Sequence, residues 1–288
     1  MKRRRFIQLG SISAMTAPLV SFKNWAVGPD SEKLMPVLFV GHGSPMNAIE
    51  NNAFTRKWAE LGKNLPKPRG IIVVSAHWET RGTKVTANLH PETIHDFGGF
   101  PQALFDVQYP APGNPELALE LPTFIHSAGV QQDLEWGLDH GAWSVLKQMF
   151  PLADIPVIQL SLDFTKTPAQ HFELAKELTV LRKKGILVVA SGNIVHNLSL
   201  INWKAENTGF DWAIEFNDKV KSAISNGEPD RLINFNNLSA GAKLAVPSSE
   251  HYLPLLYAMA LRGKDESVSF FNDTPVMGSL TMTSVLVG

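Results

Sequence analysis

The chain is predicted to form a single α/β domain, with a mostly parallel central sheet and helices on both of its faces. Three observations predict this. Apolar runs of strand length recur along the sequence, stretches with helical spacing lie between them, and several of the runs stop just before a histidine in a glycine- or serine-containing turn. Continuously apolar strands imply burial on both faces, and alternation of strand with helix is how a chain builds parallel ladders.

The first strand is Pro36-Val37-Leu38-Phe39-Val40, closed by Gly41-His42-Gly43-Ser44-Pro45. The glycines on either side of His42 permit a sharp turn and a close backbone approach to a bound group. A helix over Asn52 to Leu61 leads to the second strand, Gly70 to Ser75. That strand runs into Ala76-His77-Trp78 and reads as the neighbour of the first, so that two adjacent strands would deliver histidines at one level. Helical spacing returns at Pro115 to Ser127 and Trp143 to Met149, followed by a strand over Ile155 to Ser161 and a helix over Pro168 to Lys184. The strand Gly185 to Ser191 leads through Gly192-Asn193 to His196. A helix over Asp211 to Ser225, an apolar helix opened by His251 and running to Leu261, and a last strand around Ser279 to Val287 complete the order.

With 288 residues, 44% of them hydrophobic, the chain can bury one large core, and no repeat or interdomain linker divides it. A net charge of -1, without a basic block in the body of the chain, argues against nucleic-acid or membrane-surface partners and for small-molecule chemistry. There are no cysteines, so disulfides and thiolate metal sites are excluded, and His, Asp and Glu are the only strong metal ligands. At the N-terminus, Lys2-Arg3-Arg4-Arg5-Phe6-Ile7-Gln8 precedes a mildly apolar stretch from Leu9 to Val20. Residues 1–30 therefore read as a twin-arginine export signal and 31–288 as the working domain; a basic tail on a cytoplasmic protein is the alternative. The apolar stretch is too short and too rich in small residues to span a membrane.

His42, His77, His196 and His251 come from four separate strand-to-loop contexts, which is the pattern of a metal site, since imidazole is the commonest ligand for zinc, copper and iron. Glu250 beside His251 offers a carboxylate alternative. Two further loops, Ile94-His95-Asp96-Phe97-Gly98-Gly99-Phe100 and Asp139-His140-Gly141, pair a histidine with a carboxylate and glycines. Such loops can close over a substrate and supply an acid or base, or can simply be turns with an Asp cap. His140 precedes a helix at the same sheet edge and reads as functional. His90, His126 and His171 read as surface or packing residues.

Gly41-His42-Gly43-Ser44-Pro45-Met46, Ser75-Ala76-His77-Trp78, Ile94 to Pro101, Asp139-His140-Gly141-Ala142-Trp143, Ala190 to Leu198 and Glu250 to Leu256, in this order, resemble the class III extradiol ring-cleavage dioxygenases, in particular their DOPA-dioxygenase-like branch. The resemblance spans the chain after the signal. It implies a LigB-like α/β fold and a non-haem Fe(II) enzyme that uses O2 to open a catechol between a hydroxylated and an adjacent non-hydroxylated carbon. By the same resemblance, His42, His77 and His251 hold the metal, His196 is the acid/base residue, and His140 contacts the substrate. Other class III branches use a glutamate as third ligand, so Glu250 and His251 both stay open at that position. His196 is also open as a fourth ligand, above all with Zn(II) in the site. A zinc hydrolase with Glu250 or Asp139 as base, and an exported metal-binding protein without catalysis, are the rival readings.

Overall fold

The computed structural model describes residues 34–288, so the segment read as an export signal lies outside the described residues. Six strands form the central sheet: β1 (Val37–Gly41), β2 (Gly70–Ser75), β3 (Val157–Gln159), β4 (Ile186–Gly192), β5 (Val268–Phe271) and β6 (Ser284–Val287). Their order across the sheet is β3-β2-β4-β1-β6-β5. The ladders β3-β2, β2-β4 and β4-β1 are parallel, and β6 runs antiparallel to both of its neighbours. The expected α/β architecture is present, with a sheet that is mixed at one side.

Side chains alternate across each strand, so each strand serves two cores. Val37, Phe39, Ile72, Val74, Val188 and Ala190 face one core. Leu38, Val40, Ile71, Val73, Leu187 and Val189 face the other. Helices α1 (Ala53–Asn64) and α3 (His140–Met149) cover the second face, where Trp58 and Trp143 are fully buried. Helices α2 (Pro115–Phe124), α4 (Pro168–Glu177), α5 (Asp211–Asn226) and α6 (Leu253–Ala260) cover the first.

Helix ends follow local chemistry. Asn52 caps α1 and Thr167 caps α4, each in a capping box that satisfies two otherwise orphaned amides. The helix expected over Pro168 to Lys184 is broken at Leu178, whose amide bonds back to Ala175 and leaves a separate turn over Thr179–Lys183. The helix expected from Trp143 begins three residues earlier, at His140, because the Asp139 side chain accepts the Ala142 amide as its N-cap.

One expectation is corrected. β1 and β2 are consecutive in sequence but not adjacent in the sheet; β4 lies between them. The crossover through α1 leaves a strand-wide gap that the later β4 fills. In register, Gly41 pairs with Gly192 and Ser75 with Ser191, so three strands end at one level. His42, His77 and His196 all emerge from this carboxyl edge, the usual ligand-binding side of an open parallel sheet.

Candidate active site

His42 follows β1 directly and is buried; His77 lies two residues beyond β2; His251 sits in the turn before α6, and His140 is the first residue of α3. Their rings gather in one pocket. Centroid separations are 5.0 Å for His42–His77, 5.4 Å for His42–His251, 5.0 Å for His77–His251 and 3.9 Å for His77–His140. His196 stacks on His251 with ring centroids 3.4 Å apart and near-parallel planes. All five histidines singled out in the sequence thus converge.

The hydrogen-bond partners decide where the ring protons sit. Ser191 Oγ donates its single proton to the Gly141 carbonyl at 2.6 Å, so toward His42 Nδ1, at 3.0 Å, it must accept. His42 therefore carries its proton on Nδ1. His251 Nδ1 lies 3.0 Å from Glu250 Oε1; a carboxylate only accepts, so this ring is also protonated at Nδ1. His77 Nδ1 lies 3.3 Å from Asp96 Oδ2. Bare Nε2 atoms remain on His42 and His251. His42 Nε2 and His77 Nε2 face each other at 3.1 Å, and His251 Nε2 is buried without any partner. Bare nitrogens converging in a buried space are costly unless a cation fills it, and a partner behind each ring is how proteins orient metal-ligating histidines. The ligand atoms of His42, His77 and His140 lie within 4.8 Å of one another, as do those of His196, Glu250 and His251, so the residues fit a divalent metal ion.

Electrostatics agree. Burial, followed by the neighbouring imidazoles, holds His42 well below its ordinary range and brings His77 to about 2. Burial and His251 bring His196 to about 3. These rings are neutral at physiological pH, the form that ligates. Burial alone would raise the Glu250 carboxyl, but hydrogen bonds from His251, its own backbone and Ser248 bring it to about 2. Asp96 is likewise held below its usual range, against burial, by His140 and His77. Two carboxylates behind the imidazoles balance the charge of a divalent ion.

Asp139 lies underneath. Burial and the Asp96 charge push its carboxyl upward, yet it accepts hydrogen bonds from Ser75 Oγ (2.6 Å), Gln159 Nε2 (2.7 Å) and the Ala142 amide. Gly141 allows α3 to approach this closely, since a Cβ there would lie 2.5 Å from Ser75 Oγ and 3.0 Å from His77 Cδ2. On the open side, Phe97 meets the His140 ring edge-on at 5.6 Å and packs against Phe100 and Phe105. His95 belongs to this aromatic wall, with Nε2 against the Val107 carbonyl. His90 and His126 are exposed, and His171 is buried against the Tyr257 hydroxyl, away from the cluster.

Residues 36–285 match the family described as the catalytic LigB subunit of aromatic ring-opening dioxygenase. The chain belongs to the LigB family. Among its relatives, a protein of Escherichia coli K12 named 4,5-DOPA dioxygenase extradiol is 49% identical over 262 residues, covering 90% of this chain and 96% of that one. A protein of the same name from Beta vulgaris is 33% identical over 249 residues, covering 84% and 92%. The fold matches a crystal structure of an uncharacterized Escherichia coli K12 protein with a TM-score of 0.77 and 44% identity, over 88% of this chain and 100% of that one. As a LigB-family member the chain is a dioxygenase, an oxidoreductase whose family chemistry uses a metal, and the histidine pocket is the place in it suited to one.

Sequence reasoning found the histidines but missed Ser191 as the partner of His42 and Asp139 as a fully engaged buried carboxylate. The only signal for either was position: each stands where a strand or helix begins or ends at the same edge.

Proposed function

We propose that the protein is a non-haem Fe(II) extradiol dioxygenase that opens the ring of a DOPA-like catechol, beside its two hydroxyl-bearing carbons. One observation carries this: the imidazole rings of His42, His77 and His251 converge at the carboxyl edge of the sheet, with centroids 5.0, 5.4 and 5.0 Å apart. In this reading His42, His77 and His251 hold the metal, and Glu250 serves as the partner of His251 instead of the third ligand. A three-histidine set leaves coordination positions open, so that bound Fe(II) would supply a redox-active centre at which catechol and O2 meet. Zn(II) would bind the same nitrogens without redox chemistry.

The chain's own groups handle protons and orientation. His196, neutral at rest and stacked on His251, takes a proton from a catechol hydroxyl on a free ring nitrogen and later returns it. His140, whose ring lies 3.9 Å from that of His77 and meets Phe97 edge-on, is placed to hydrogen-bond the substrate. Phe97 and Phe100 give an aromatic ring an apolar wall and keep water out. Against a zinc hydrolase, both proposed bases are engaged: Asp139 by Ser75, Gln159 and a backbone amide, Glu250 by His251 and Ser248. We further propose that residues 1–30 direct export by the twin-arginine route.

The test is anaerobic Fe(II) reconstitution followed by oxygen uptake with a panel of catechols. The Fe(II) form should consume O2 with at least one catechol and the Zn(II) form with none. Equal inactivity of both forms across the panel would overturn the reading.

A further inference from the structure

Asp139 has an ordinary explanation as the N-cap of α3, and for that role one oxygen accepting the Ala142 amide is enough. Its other contacts exceed that need. Oδ1 also accepts from Ser75 Oγ at 2.6 Å, and Oδ2 accepts from Gln159 Nε2 at 2.7 Å, while Gln159 Oε1 takes the Asp139 backbone amide at 3.0 Å. Asp139 and Gln159, the last residue of β3, thus hold each other through two reciprocal bonds, and both are fully buried. Ser75 passes the restraint on. Its Oγ accepts the His77 backbone amide at 3.2 Å while its proton goes to Asp139, so the hydroxyl is fixed beneath the His77 turn. Ser191, paired with Ser75 in register, ties the Gly141 carbonyl to His42 Nδ1.

We propose that Asp139 and Gln159 form a carboxylate–amide lock that fixes the first turn of α3 and, through Ser75 and Ser191, sets the spacing of His140, His77 and His42. Asp139 is then a positioning residue, acting on the pocket through the groups it holds. This rests on the reading of the pocket as a metal centre. A buried polar network in which every member is satisfied specifies one geometry, which a site needing several rings at fixed separations requires.

The lock has a direction, because a carboxylate only accepts whereas an amide accepts at one end and donates at the other. In Asp139→Asn the new NH2 group opposes that of Gln159. Turning either amide over moves the conflict to the Ala142 amide or to the backbone amide of residue 139. In Gln159→Glu two buried carboxylates face each other. The double variant Asp139→Asn with Gln159→Glu exchanges the two roles. The introduced carboxylate then accepts the backbone amide and the NH2 group of residue 139, and the introduced amide oxygen keeps Ser75 and Ala142. Every bond returns with the net charge unchanged. Residues behind metal ligands typically contribute about 10–100-fold to affinity, and Asp139 acts through one further residue, so each single variant should weaken metal binding by about 10-fold.

The experiment uses the full chain. Zn(II) affinity is read by chelator competition, coordination geometry by the visible absorption of the Co(II)-loaded protein, and folding by thermal denaturation without metal. Leu181→Ala serves as the control, since Leu181 is buried in the turn that leads into the amino end of β4, at the edge of the sheet opposite the pocket. Expected are weaker Zn(II) binding and an altered Co(II) spectrum in both single variants, and the wild-type spectrum with most of the affinity restored in the double variant. Leu181→Ala should lose stability but keep affinity and spectrum. A merely structural role predicts that affinity follows melting temperature in every variant, the control included. That result, a single variant with wild-type affinity and spectrum, or a double variant no better than the singles would overturn the proposal. If the single variants do not fold, the double variant still reports rescue, and Ser75→Ala, which cuts the link to His77 but leaves the lock intact, should alter the Co(II) spectrum. A wild type that binds neither ion would count against the metal reading, while recovery of melting temperature in the double variant would still decide the lock.

Discussion

At His42 and His251 the imidazole supplies the lone pair, but the residue behind it decides that the lone pair points inward. Ser191 and Glu250 each fix a proton on Nδ1 by accepting from it. His196 differs, since it rests flat on His251 and its neutrality comes from burial and that neighbour. If it is the acid/base group, His196→Gln should retain iron while ring opening slows by about 10²–10⁴-fold. Iron content and oxygen uptake measured on one sample check this; loss of both together would make His196 a ligand. At this scale the histidines were legible in the sequence because His42, His77 and His196 follow apolar runs and His251 opens one. Their partners were not, because Ser191 ends a strand like any other serine and Asp96 sits in a turn-forming stretch.

Among the elements, the carboxyl ends of β1, β2 and β4 build the site, and close backbone approach sets its geometry. A Cβ at Gly192 would land on the His251 carbonyl oxygen, which also accepts the Asn193 amide. Gly192→Ala should therefore cost at least about 1–3 kcal/mol and weaken metal binding by displacing the His251 turn. Thermal melting with metal titration reads both; a variant as stable and as tight as wild type would show that this contact is slack. The strand β5 went unrecognised because it is an edge strand whose half-exposed Val268–Phe271 run lacks a continuous apolar pattern. The position of β4 between β1 and β2 was also hidden, since hydrophobic periodicity reports burial but not strand order.

Across the whole molecule, two cores on opposite faces of one sheet hold the edge that carries five histidines, and this architecture was readable from alternation alone. The antiparallel β6 was not, because a strand buried on both faces looks the same in either direction. Export belongs to the same scale. If residues 1–30 act as a twin-arginine signal, Arg3→Lys with Arg4→Lys should abolish periplasmic accumulation without altering the folded domain; unchanged accumulation of an exported wild type in cell fractionation would refute it. The central claim is that imidazoles from separate strands hold one catalytic metal. It is tested most directly by measuring iron content and catechol-dependent oxygen uptake together in wild type, His42→Ala and His77→Ala after identical anaerobic reconstitution. One iron per chain with oxygen uptake in the wild type, and loss of both in each variant, is the predicted result. Full iron occupancy in both variants would contradict it.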